Sequence, residues 1–186
     1  LIFSGQHSVA GRDLYVSDGT AIGTTLLKDI YPGVFASYPA QLTKVPDLNE
    51  VFFVASDGTH GEELWKTDGT ESGTVLVHDV VQGATGSNPG NLMPYTFTNE
   101  FRSSAPQTVP GIMFTADHPT VGNEILFTDG EQSEPSVTVD LNIGLGGSQA
   151  QSLSIIHGTV VFSGDNGFDG HEVVALYELG ATAGPD

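Results

Sequence analysis

The sequence predicts an all-β protein: a small β-propeller or propeller-like array of four repeats, each about 50 residues long and four strands wide. Three observations point there. An apolar run around a phenylalanine recurs as Leu1-Ile2-Phe3-Ser4-Gly5, Val51-Phe52-Phe53-Val54-Ala55, Ile112-Met113-Phe114-Thr115-Ala116 and Val160-Val161-Phe162-Ser163-Gly164, at spacings of 50, 61 and 48 residues. Eight residues after each Phe stands a glycine (Gly11, Gly61, Gly122, Gly170), and two further on an acid (Asp13, Glu63, Glu124, Glu172). An Asp-Gly turn then follows in the first three units, at Asp18-Gly19, Asp68-Gly69 and Asp129-Gly130. A fixed period of this length marks units that bury their apolar faces on one another. A β-sandwich or β-solenoid is the alternative, but sandwich strands do not repeat in sequence and solenoid coils are shorter.

The second unit shows the plan of strands. Val51 to Ala55 is a β-branched and aromatic run, and the turn-rich Ser56-Asp57-Gly58-Thr59-His60-Gly61 leads to a second strand at Glu63-Leu64-Trp65-Lys66. Asp68-Gly69 closes that strand, because glycine accepts the positive φ of a hairpin turn. Gly73 to Asp79 alternates as a third strand, and Asn91-Leu92-Met93-Pro94-Tyr95 opens a fourth. The first and third units repeat the plan, with Ser37-Tyr38-Pro39 before Leu42 and Ser148 before Leu153. Asn99 to Gly111 is extra sequence, expected as a loop extension. The fourth unit loses the pattern after Tyr177, which leaves about fourteen strands, two short of a closed ring of sixteen. The whole is expected to be a single repeat domain, 1–186, with units 1–50, 51–111, 112–159 and 160–186.

Composition agrees: 38% hydrophobic residues, 15% charged and 24 glycines suit short strands and tight turns. Twenty-three acids oppose five Lys and Arg, a formal net charge of -18. Such a surface repels nucleic acid and anionic lipid headgroups, and favours cations or basic partners. Cysteine is absent, so disulfides and thiolate metal sites are excluded. No stretch is long and apolar enough to be read as a membrane-spanning helix.

Glu63-Leu64-Trp65-Lys66-Thr67-Asp68-Gly69-Thr70, with Gly73-Thr74 behind it, resembles the ELWxxDGT repeat of large secreted and surface bacterial proteins. Asp13-Leu14-Tyr15-Val16-Ser17-Asp18-Gly19-Thr20 with Gly23-Thr24 is a degenerate copy, and Glu124 to Glu131 a weaker one. The fourth unit keeps Glu172 and the apolar pair after it, so the resemblance covers about three quarters of the chain. It implies extracellular, propeller-like arrays and no particular activity.

The candidate sites follow from residue type. Asp18, Asp68 and Asp129 are expected to cap turns, and Asp29, Asp79 and Asp140 to hold backbone amides between blades. Tyr15, Trp65, Leu126 and Val174 fall at one place in each unit and suit packing between blades. Loop aromatics Tyr31, Phe35 and Tyr38 could stack on sugar rings, with the amides Asn88, Asn91 and Gln149 bonding the hydroxyls. Asp165-Asn166-Gly167-Phe168-Asp169-Gly170-His171-Glu172 gathers carboxylates around glycines, and Asp165, Asp169 and Glu172 are the candidate calcium ligands. The six histidines show no zinc spacing, and no nucleophile elbow or phosphate loop occurs.

The function expected is non-enzymatic extracellular or cell-surface binding, with a glycan preferred and calcium as a possible stabilising cofactor. A structural or adhesive link in a larger surface or filament protein is the alternative, and a polysaccharide-acting enzyme the second. The expected partners are a glycan or an extracellular protein. Self-association, or neighbouring repeats completing the missing strands, is a further expectation; nucleic acid and membrane insertion are not expected.

Overall fold

The computed structural model describes residues 1–8, 11–99, 107–131, 135–139, 142, 146–157 and 159–176. Fourteen strands are found among them: β1 (Ile2–His7), β2 (Gly11–Ser17), β3 (Thr24–Lys28), β4 (Ala40–Val45), β5 (Glu50–Ser56), β6 (Glu62–Thr67), β7 (Val75–Leu76), β8 (Gly90–Asn99), β9 (Gln107–His118), β10 (Gly122–Thr128), β11 (Ser136–Val139), β12 (Gln151–Ile156), β13 (Thr159–Asp165) and β14 (His171–Leu176). They form four antiparallel sheets in chain order: β1-β2-β3, β4-β5-β6-β7, β8-β9-β10-β11 and β12-β13-β14. The described residues contain no α-helix; Pro46–Leu48 is a single 3-10 turn.

The sheets are out of phase with the sequence units. The strand that ends each unit pairs with the Phe strand of the next, as in Ala40↔Val54 and Lys44↔Val51. Each of these leading strands carries a bulge close to its start, where Gln41, Asn91 and Ser152 take positive φ of 53°, 52° and 58°. The described part of the second unit's extra sequence is strand: β8 and β9 run on as a long hairpin to the pair Asn99↔Gln107. Residues 100–106 of the expected loop, and the chain after Leu176, lie outside the described residues.

Consecutive sheets bury their facing sides on one another, and the two middle sheets are buried on both. Phe53 and Trp65 of the second sheet meet Leu14 and Leu27 of the first. Phe52 and Leu64, on the opposite face, meet Ile112, Phe114 and Leu126 of the third. Met113 and Ile125 meet Val160 and Phe162 of the fourth. The period-2 alternation of a strand accounts for this: in Phe52-Phe53 and Met113-Phe114, neighbouring residues serve opposite neighbours. Phe53, Phe114 and Phe162 are accordingly 0%, 0% and 2% exposed. Phe3 is only half-buried, because none of the three cores among the described residues includes the face it occupies in the first sheet.

Candidate functional site

The acid after the repeated glycine is the centre of a recurring polar joint. Asp13, Glu63 and Glu124 are all fully buried. Each takes hydrogen bonds from a serine 24 residues downstream. The Ser37 hydroxyl bonds Asp13 and the Ser87 hydroxyl bonds Glu63. The Ser87 N–H donates to Glu63 Oε1 at 2.8 Å, and the Ser148 N–H to Glu124 Oε1 at 2.6 Å. Amides of the descending chain join in: Ile30 N–H donates to Asp13 Oδ1 at 3.2 Å and Val81 N–H to Glu63 Oε1 at 3.3 Å.

The same serines reach forward. Their carbonyls accept from the end of the next sheet's Phe strand: Ser56 N–H to Ser37 at 3.0 Å, Asp117 N–H to Ser87 at 2.7 Å, and Asp165 N–H to Ser148 at 2.6 Å. One residue thus ties each pair of consecutive sheets. The approach is close enough to need glycine: a side chain at Gly61 would strike the backbone of Thr85 and Gly86. Glu172, in the equivalent place on β14, is exposed.

Burial raises the pKa of two of these carboxyls, Asp13 and Glu63. Desolvation pushes Glu63 up from 4.5 to about 7, although the bonds from Ser87 and Val81 oppose it. Asp13 is also raised, by burial first, with Asp29 adding repulsion and Ser37 and Ile30 pulling the other way. Asp29 and Asp79 each hold a backbone amide of their own loop, Oδ2 accepting from Gly33 and Gly83 at 3.2 and 3.4 Å, not an amide of a neighbouring sheet. Asp140 lies outside the described residues.

The Asp-Gly turns are self-contained. Asp68 Oδ1 accepts the Thr70 N–H at 2.8 Å and the Thr70 hydroxyl at 2.7 Å; that hydroxyl accepts the Gly73 N–H at 2.9 Å, and Thr74 closes onto Thr67 at 2.8 Å. The first unit repeats each bond with Asp18, Thr20, Gly23, Thr24 and Ser17. Glycine follows at Gly23 and Gly73 because a Cβ there would collide with the carboxylate of Asp18 or Asp68. Bonds from Thr20, backbone then side chain, hold Asp18 below its ordinary value; those from Thr70, side chain then backbone, do so for Asp68. In the third unit Glu131 replaces the threonine and keeps only its backbone bond to Asp129, at 3.0 Å.

The residues expected to bind a ligand divide into two groups. Tyr38, Asn88 and Gln149 follow the clamp serines directly and share a left-handed backbone, with φ of 50°, 50° and 47°. Asn88, in the loop that leads out of the second sheet, bonds Asp117 of the third at 3.0 Å, and Asn91 bonds Thr115 at 3.1 Å within the third sheet. The aromatic loop of the first unit differs. Tyr31 stacks on Phe35 with centroids 4.8 Å apart and lies over the backbone of Gly58 in the next sheet. Phe35 and Tyr38 remain 56% and 64% exposed. The corresponding positions in the other units, Val81 and Asn142 for Tyr31 and Thr85 and Gly146 for Phe35, carry no aromatic ring. Among the first three units, therefore, the platform is found in the first loop.

Beside Gly58, Asp57 and His60 form a pair at 2.7 Å. The bond to Asp57 raises the His60 pKa; Asp57 is held low by the amides of His60 and Thr59 and by the His60 ring, against its own desolvation. The fourth unit builds the same loop with other residues. Asn166 Oδ1 accepts from Phe168 and Asp169, both at 2.9 Å, as Asp57 does from Thr59 and His60, while Asp165 accepts from Gly167 at 2.7 Å. Asp169 and Glu172 are exposed, and among the described residues no three acids or histidines converge as metal ligands. A shallow groove of about 310 Å³ between the turns of the second and third sheets is lined by Glu50, Lys66, Asp68 and Glu131, among others.

The clamp serines Ser37, Ser87 and Ser148 were not singled out by residue type; their constant spacing from the acid was the available signal. No family model, curated protein or solved structure matches the chain.

Proposed function

We propose that this chain is a non-enzymatic recognition module of an extracellular or cell-surface protein, built as an open, propeller-like array, with a glycan as its ligand. The observation that supports this is the Tyr31–Phe35 stack at the junction of the first two sheets, with Tyr38 exposed on the same loop. Exposed rings held rigid against a neighbouring backbone present flat apolar faces at little entropic loss, and sugar C–H faces stack on such surfaces. The Asp57–His60 pair next to Gly58 supplies polar groups for hydroxyls. The resemblance to secreted ELWxxDGT arrays agrees with the location.

A glycan array probed with the purified protein tests the reading. Selective binding to a few sugars is expected, with Phe35→Ala and Tyr38→Ala each weakening it about tenfold, in line with a lost stacking contact. Indifference to every sugar would overturn it. Release of reducing ends from a polysaccharide would instead establish an enzyme. The alternative, a structural link, draws support from the clamps and turns, in which most of the repeat's signature residues are internally bonded.

Calcium enters this proposal through the fourth loop. Asp165 and Asn166 hold the turn closed, so a cation would have to draw the exposed Asp169 and Glu172 inward. Millimolar calcium is expected to raise the melting temperature above sodium of equal ionic strength, and Asp169→Ala to abolish the difference. Superimposable melting curves in the two salts would remove calcium from the reading.

A further inference from the structure

The three interfaces between sheets obey one positional rule, and among the described residues two faces are left over. The rule pairs a leading face, the row Phe53↔Trp65↔Leu76 in the second sheet, with a trailing face formed by positions such as Leu14 in the sheet before. In the first sheet the leading row is Phe3↔Tyr15↔Leu26, and Leu26 stands 39% exposed. In the fourth sheet the trailing face carries Val161 and Val173. Val173 is 79% exposed, whereas its equivalents Leu14, Leu64 and Ile125 are 0%, 1% and 0% exposed.

We propose that these two faces are the halves of a fourth interface, formed between copies of this chain, the fourth sheet of one seated on the first sheet of the next. The occupant follows from continuity with the three internal interfaces: a leading row is covered by a trailing face of the same repeat, and the described residues present one uncovered face of each kind. Because the halves differ, contact is head-to-tail and propagates instead of closing as a two-fold dimer. A formal charge of -18 on each copy opposes the approach, so association strengthens as salt screens it. The inference is independent of any ligand at the aromatic loop.

Analytical ultracentrifugation of the whole chain tests it with Leu26→Asp and Val173→Asp, both at exposed positions that leave the cores intact. Wild-type protein is expected to sediment as a concentration-dependent series that grows with sodium chloride. Each variant alone is expected to be monomeric, with an unchanged melting curve. An equimolar mixture is expected to give a one-to-one dimer and nothing larger, since the mixture retains a single compatible pair of intact faces. A wild type that stays monomeric at all concentrations and salts, variants that still form the series alone, or a mixture that stays monomeric would each overturn the proposal.

Discussion

Glu63→Ala is expected to destabilise the protein by about 3–5 kcal/mol, because it strips a buried acceptor from three donors at once. Ser87 N–H, the Ser87 hydroxyl and Val81 N–H all converge on that carboxyl, and Ser87 is itself fully buried. Urea denaturation reads the loss directly. Glu63→Gln separates charge from shape, since the amide keeps an acceptor for the two N–H groups and offers a donor to the hydroxyl. The folded pKa of about 7 lies above the ordinary 4.5, so the folded state binds the proton more tightly than the unfolded chain. Stability from this group is therefore full below about pH 4.5, declines as pH rises, and is lost by about pH 7, a swing of roughly 3 kcal/mol. Glu63→Gln should match the wild type near pH 5 and exceed it at pH 8. Parallel stability curves for the two proteins would show that Glu63 is ionised in its joint. Asp18 and Asp68 act in the opposite sense: held low, they contribute stability above the ordinary carboxylate range that is lost as pH falls through their folded values.

Phe114→Ala is expected to cost about 3–5 kcal/mol, and the same substitution at Phe3 about 1 kcal/mol. The two residues occupy the same place in the repeat, so their sequence surroundings do not distinguish them. Their neighbours do: Phe114 packs among Phe52, Leu64 and Val77 across a covered interface, whereas Phe3 lies on the uncovered row of the first sheet. Thermal melts of the two variants under dilute, low-salt conditions measure the contrast. Equal losses would mean that a partner covers the first sheet even there.

Much of this architecture was legible because the residues that build it are demanding. A buried Phe, a glycine under steric compulsion and an Asp-Gly turn tolerate few substitutes, so they repeat as letters. The clamp was only half visible for the opposite reason. Its acid alternates between Asp and Glu, and its serine sits in a polar loop where serine is unremarked; only the distance between them is constant. The glycan candidates Asn88 and Asn91 were chosen for their amides, yet their positions require a left-handed backbone, which asparagine adopts more readily than most residues. Tyr38 and Gln149 meet the same demand with unrelated side chains, so residue type hid the equivalence. The phase of the sheets was obscured by the bulges at Gln41, Asn91 and Ser152, which break the alternation that would have marked β4, β8 and β12 as partners of the strands after them.

That phase shift governs the order in which the molecule can assemble. During synthesis from the N-terminus, the leading strand of each sheet emerges as the tail of a unit whose own sheet is already in place. It then waits, held by its serine to the finished sheet, as a template on which the next hairpin can pair. Among the described residues the joints and cores link consecutive sheets, so loop closure between them is short and entropically inexpensive. A ribosome would release such a chain sheet by sheet, each new one registered by its predecessor, with a single unpaired strand exposed to misassociation at any moment.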